Sequence, residues 1–178
     1  MLYKAAIIPV ACSLLLGACA TLDKSDETST IAQASLADAT GASVGTARIE
    51  QSGTALAFVA EVRGMSPGQH GIHLHTAGKC EAPGFTSAGG HLNPAAHQHG
   101  SMNPAGPHLG DLPNITVAAD GTGVVRAPLA GSAADLLANV LDSDGTAVVV
   151  HAGPDDYKTD PSGNSGGRIA CGVLGRAG

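Results

Sequence analysis

The chain has 178 residues, 43% of them hydrophobic, which is enough for one domain with a buried core and short for two. Nine basic residues stand against fifteen acidic ones, a formal net charge of −6, and this balance excludes a nucleic-acid or anionic-membrane binding face. Twenty-five glycines, ten prolines, 2% aromatics and no tryptophan imply frequent turns and small packing side chains, so short strands are favoured over long helices.

The chain opens with "MLYKAAIIPVACSLLLGACA", in which Lys4 is the single charge ahead of an apolar run over residues 5–16. That run is too short to span a bilayer as a mature helix, and its layout is that of an export signal over residues 1–18. "LGAC" at its end resembles the bacterial lipobox, in which the leader is cut before the cysteine and the cysteine is lipidated, so Cys19 is the expected lipid-bearing N-terminus. Residues 19–30, with the polar run "TLDKSDETST", read as a flexible tether to a domain over residues 31–178. Ala20, and not an acid, directly follows Cys19, which favours anchoring in the outer membrane on the periplasmic side. Loss of Lys4 with the leader takes the net charge to −7.

"IAQASLAD", "SVGTARIEQ" and "TALAFVAEV", separated by "ATGA" and "SG", have the spacing of a β meander, and "QHGIHLH" makes a fourth strand. Side chains alternate across a strand, so His73 and His75 share one face while Ile72 and Leu74 take the other. His70 falls opposite the pair and reads as a surface or hydrogen-bonding residue. Residues 76–114 then show little periodicity and hold four histidines; a loop of this length and content is best explained by something bound in it. "ITVAADGTGVVRAP" reads as a hairpin about Asp120 and Gly121, and "SAADLLANV" fits either a helical turn or a short strand. "GTAVVVH" is a strand ending in His151, a second loop runs to Gly167, and "RIACGVLG" is the last strand. The expected fold is all-β, an eight-stranded antiparallel Greek-key sandwich or flattened barrel with two long functional loops.

Of the four cysteines, Cys12 leaves with the leader and Cys19 takes lipid, which leaves Cys80 and Cys171 in the domain. In an oxidising compartment such a pair is most simply a disulfide, stabilising by at most roughly 4 to 5 kcal/mol for a loop of this size in the chain-entropy model. His91, His97, His99, His108 and Asp111 fall within 21 residues. Imidazoles with one carboxylate suit zinc or copper, and the lack of a second carboxylate argues against calcium or magnesium.

"GIHLHTAGKC", "GGHLNPAAHQHG", "PHLGDLPN", "VVVHAGPDDY" and "GNSGGRIACGVLG", in that order, resemble the copper-zinc superoxide dismutases of the bacterial periplasmic kind. The resemblance implies one copper ion held by His73, His75, His91 and His151, and one zinc ion held by His91, His99, His108 and Asp111, with His91 bridging. It implies that Asp155 hydrogen-bonds one copper ligand, His73, and one zinc ligand, His99, with Asp156 as the alternative, and it implies the Cys80–Cys171 disulfide and Arg168 at the mouth of the copper channel. It also implies a two-step cycle in which one superoxide is oxidised to oxygen and a second is reduced to hydrogen peroxide, with His91 passing a proton. His97 is a possible rival to His99 as a ligand. Lys158 is the sole lysine of the second loop, so superoxide attraction falls to the metals, Arg168 and one of Lys79 and Lys158. Family members of this type occur as monomers and as homodimers.

Three other readings compete with the enzyme. A copper or zinc buffer has no need of Arg168. A di-zinc hydrolase wants an acid close behind His-x-His, where Thr76, Ala77 and Gly78 stand. A purely structural sandwich leaves the histidine-bearing loop unexplained.

Overall fold

The computed structural model describes Met1 and residues 27–178; the rest of the expected leader, with Cys12, as well as Cys19 and most of the tether lie outside these residues. Alternating small apolar and polar residues form three long antiparallel strands, β1 (Ser29–Asp38), β2 (Ser43–Ser52) and β3 (Ala55–Val62). β1 starts two residues before the expected domain boundary. Two short strands follow, β4 (Gly68–His70) and β5 (Ile72–His75), then the first long loop with one 3₁₀ turn at Thr86–Ala88. The expected hairpin is β6 (Ile115–Val117) and β7 (Gly123–Leu129), and the chain ends in β8 (Ala147–His151), β9 (Arg168–Val173) and β10 (Gly175–Arg176).

These strands make one sheet in the order β4-β6-β7-β3-β2-β1-β9-β8-β5, with β10 on β1. The two ends of that path, β4 and β5, are consecutive in the chain, so the sheet is bent into a nearly closed barrel. Among the described residues ten strands stand where eight were expected. The expected fourth strand is split at Gly71, whose N–H donates to Gly153 O and whose carbonyl accepts from His151 N–H. This lets the chain leave β6 and join β8.

Residues "SAADLLANV" resolve as a helix, α1 (Ala133–Val140). Ser132 caps it: Ser132 Oγ accepts from Asp135 N–H and donates to Asp135 Oδ2, a Ser-x-x-Asp form of the capping box. Leu136 and Val140, four apart, are its buried positions.

Inward side chains such as Leu36, Ile49, Phe58, Leu74, Ile115 and Val148 fill the barrel. β8 is buried on both faces, because Val148 and Val150 enter this core while Ala147 and Val149 meet a second cluster with Phe85, Ala88 and Cys171. The Cys80–Cys171 disulfide stitches the first loop to β9 over that cluster. The loop is thereby laid against β5 and β8, where the histidines are.

Candidate metal centre

His73 and His75 stand on one face of β5, paired through the ladder to Val149 and Ala147 of β8, and His151 ends β8. The other edge of β5 is closed by the first loop: Leu92 N–H donates to Leu74 O, and Leu74 N–H donates to Gly110 O. A Cβ at Gly110 would overlap the Leu74 carbonyl, so only glycine lets this segment come close. The pairing places His91 opposite His75 and Asp111 opposite His73. A loop without regular structure in its sequence thus borrows the edge of a strand to fix two of its chemical residues.

The side chains converge as two sets sharing His91. His73, His75, His91 and His151 form one, and His91, His99, His108 and Asp111 the other, one nitrogen or carboxylate oxygen of each residue lying within 4.8 Å of those of the others in its set. All seven histidine and aspartate side chains are buried or nearly so. In the first set, Nδ1 of His73 and Nε2 of His75, His91 and His151 are buried with no hydrogen-bond partner. Their opposite nitrogens are fixed by Asp155 Oδ2 at 2.7 Å, Gly89 O at 3.0 Å, Asp111 Oδ1 at 2.8 Å and Gly166 O at 3.1 Å. Four unpartnered imidazole nitrogens facing one point are costly in a bare protein and are what a borderline-soft cation binds. In the second set, Nδ1 of His91, His99 and His108 lie 2.8, 3.1 and 3.1 Å from the same oxygen, Asp111 Oδ1. Three nitrogens and a carboxylate oxygen fit tetrahedral zinc.

Burial drives His75, His151 and His91 away from the charged form, lowering their pKa to about 2, about 3 and about 4 respectively. Neutral imidazole is the form that binds metal. Burial pushes Asp111 up, yet hydrogen bonds from His91 and from the N–H groups of Gly100 and His108 outweigh it and keep the carboxyl well below its ordinary value. Asp155 behaves in the same way, with its two histidine partners outweighing burial.

Asp155 joins the sets, reaching His73 through Oδ2 and His99 Nε2 through Oδ1 at 3.0 Å. Asp156 faces away and accepts from Thr159, Lys158 N–H and Asn164. His97 is exposed, with Nδ1 2.9 Å from Pro107 O, and belongs to neither set. His70 is buried and bonded to the carbonyls of His151 and Ser66, so of its two expected roles it takes hydrogen bonding and not the surface.

A cavity of about 430 Å³ opens over the first set, lined by His75, His91, His151, Asn93, Ser162 and Arg168. Arg168 donates to Phe85 O at 2.7 Å and Gly89 O at 2.6 Å, which holds its guanidinium at the cavity wall. Neither Lys79 nor Lys158 lines this cavity. Sequence reasoning assigned no role to Asn114, Tyr157 or Asp160, although all three bond across the loops: Asp160 accepts His99 N–H, and Asn114 and Tyr157 surround Asp155.

A Greek-key β-barrel with two adjacent donor sets bridged by one imidazole defines a dinuclear metalloprotein. The copper/zinc superoxide dismutase (SODC) family pattern matches residues 43–174, and the chain belongs to that family. It is 40% identical over 148 residues to "Superoxide dismutase [Cu-Zn] 2" of Aquifex aeolicus, covering 80% of this chain and 85% of the relative. It is 48% identical over 118 residues to "Superoxide dismutase [Cu-Zn]" of Caulobacter vibrioides, covering 64% and 68%. A crystal structure of a SOD-like protein from Bacillus subtilis superposes with a TM-score of 0.74 at 39% identity, over 82% of this chain and 99% of the other.

Proposed function

We infer that the protein converts superoxide to oxygen and hydrogen peroxide, with copper held by His73, His75, His91 and His151 and zinc held by His91, His99, His108 and Asp111. Copper and zinc are the family's cofactors, and superoxide is its substrate. The observation that carries the division of ligands is the set of four buried, partnerless ring nitrogens beside a second set that meets at one aspartate oxygen.

Bound copper supplies the one-electron exchange that takes an electron from one superoxide and returns it to the next. The protein's residues do the rest. Arg168, a fixed cation at the cavity wall, draws the anion in and orients it. His91 faces the first set through Nε2 and the second through Nδ1, so a proton held at Nε2 lies where the departing peroxide needs it. Asp155 holds the tautomers of His73 and His99, with Nε2 of each as donor, leaving their Nδ1 atoms free as ligands. The walls of strand and disulfide-tied loop keep these groups in place during turnover.

His91→Ala tests this reading. It is expected to leave copper and zinc binding separately and weakly, and to abolish fast turnover. Normal turnover with both metals bound would refute the bridge.

The same reading places the protein in the periplasm, exported by residues 1–18 and held at the outer membrane by lipid on Cys19, where it removes superoxide. The "LGAC" stretch supports this, and the Cys80–Cys171 bond suits an oxidising compartment. Cys19→Ser is expected to release the protein from the membrane fraction; unchanged fractionation would contradict lipid anchoring.

A further inference from the structure

The link between His73 and His99 depends on a carboxylate in the second loop, which has no regular structure around Asp155. Two residues outside the metal-facing sets hold it. Asn114, at the end of the first loop, accepts Asp155 N–H on Oδ1 at 2.8 Å and donates from Nδ2 to Asp155 O at 3.0 Å. A primary amide is the side chain that offers an acceptor and a donor together, so one residue holds both faces of the Asp155 main chain. The main-chain N–H of Asn114 in turn donates to the Tyr157 hydroxyl at 2.9 Å. Tyr157 N–H donates to Asp155 Oδ1 at 2.6 Å, and Met102 N–H, from the first loop, donates to Tyr157 O at 2.9 Å. Tyr157 adopts a φ of 64°, a left-handed conformation that a bulky residue takes only when its surroundings fix it.

We propose that Asn114 and Tyr157 are positioning residues for the metal centre: they clamp the second loop to the first and so set the Asp155 carboxylate between His73 and His99. The proposal rests on Asp155 being the link between the two sites. Its consequence is that residues touching neither metal govern zinc affinity and the copper environment. Asn114 lies three residues after Asp111, so the clamp ties the segment carrying the zinc carboxylate to the loop carrying the link.

The test uses the purified protein with Tyr157→Phe, Asn114→Ala, the double variant and Asp155→Asn. Four readouts are taken: zinc affinity by chelator competition, the visible spectrum of cobalt(II) in the zinc site, the EPR spectrum of Cu(II), and the melting temperature. Tyr157→Phe removes one oxygen, and it decides the matter if Asn114→Ala does not fold. The expected result is about a tenfold or greater loss of zinc affinity in each single variant, with shifted cobalt and copper spectra. The double variant is expected to be little worse than the weaker single, because both break one clamp. Wild-type zinc affinity and spectra in the single variants, alongside weakened binding in Asp155→Asn, would overturn the proposal. A lower melting temperature with unmoved spectra would do the same, as the role would then be structural. Wild-type behaviour of Asp155→Asn would instead remove the link on which the proposal stands.

Discussion

His73 and Asp155 are 82 residues apart in the chain, yet Nε2 of one and Oδ2 of the other lie 2.7 Å from each other in the buried interior. Through its second oxygen the same aspartate holds His99, so one carboxylate from the second loop orders an imidazole in each set.

That bond to His99 is crossed closely by Gly163, whose φ is +65°. A Cβ there would overlap Asp155 Oδ1 and crowd His99 Nε2. Gly163→Ala is therefore expected to break the link and lower zinc affinity about 10- to 100-fold while the sheet stays folded. Competition with a chromophoric chelator measures it, and unchanged affinity would show the link to be dispensable.

The metal-free protein is expected to lose stability as pH falls. His75, His151 and His91 titrate at about 2, 3 and 4 in the fold, against 6.5 for a free histidine. Below about 6.5 the unfolded chain takes up protons that the folded one refuses, so each histidine contributes up to about a tenfold change in the folding equilibrium per pH unit. His91 ceases to contribute near pH 4, the other two continue lower, and Asp111, also lowered, acts in the same direction below 3.8. Thermal melts of the metal-free protein from pH 7 to 4 check this; a flat profile would contradict it.

Replacing Cys80 and Cys171 by serine frees a loop closed across 91 residues. The expected cost is about 2–5 kcal/mol in urea unfolding. Because Phe85 O and Gly89 O lie in the loop that the bond holds down, Arg168 loses fixed acceptors as well. Turnover should fall along with stability, and full activity in the folded double variant would separate the two.

Arg168→Ala is expected to slow the reaction by roughly tenfold at low salt and to flatten its dependence on ionic strength, since a chain of net charge −6 offers no attraction of its own. Arg168→Lys keeps the charge but not the two-pronged bond to Phe85 O and Gly89 O, and should fall between. Stopped-flow rates over a salt series give the answer.

The strands were legible because their side chains alternate, and the histidine pair on β5 because a strand turns alternate residues the same way. The Gly71 break was not, since it follows from where residues 151–153 pack. The helix α1 carried a signal that periodicity over nine residues does not resolve, the Ser132–Asp135 cap. Asn114, Tyr157 and Asp160 carry ordinary loop side chains whose partners lie 41 to 61 residues away, and that spacing is visible only once both loops are folded.

The central claim is a catalytic copper at His73, His75, His91 and His151, and it is tested most directly by superoxide dismutation in the copper- and zinc-loaded protein beside His151→Ala. The account predicts fast turnover in the first and none in the second, with zinc retained in both. Metal-loaded protein that binds both ions without turning over, or a His151→Ala variant as fast as the parent, would contradict it.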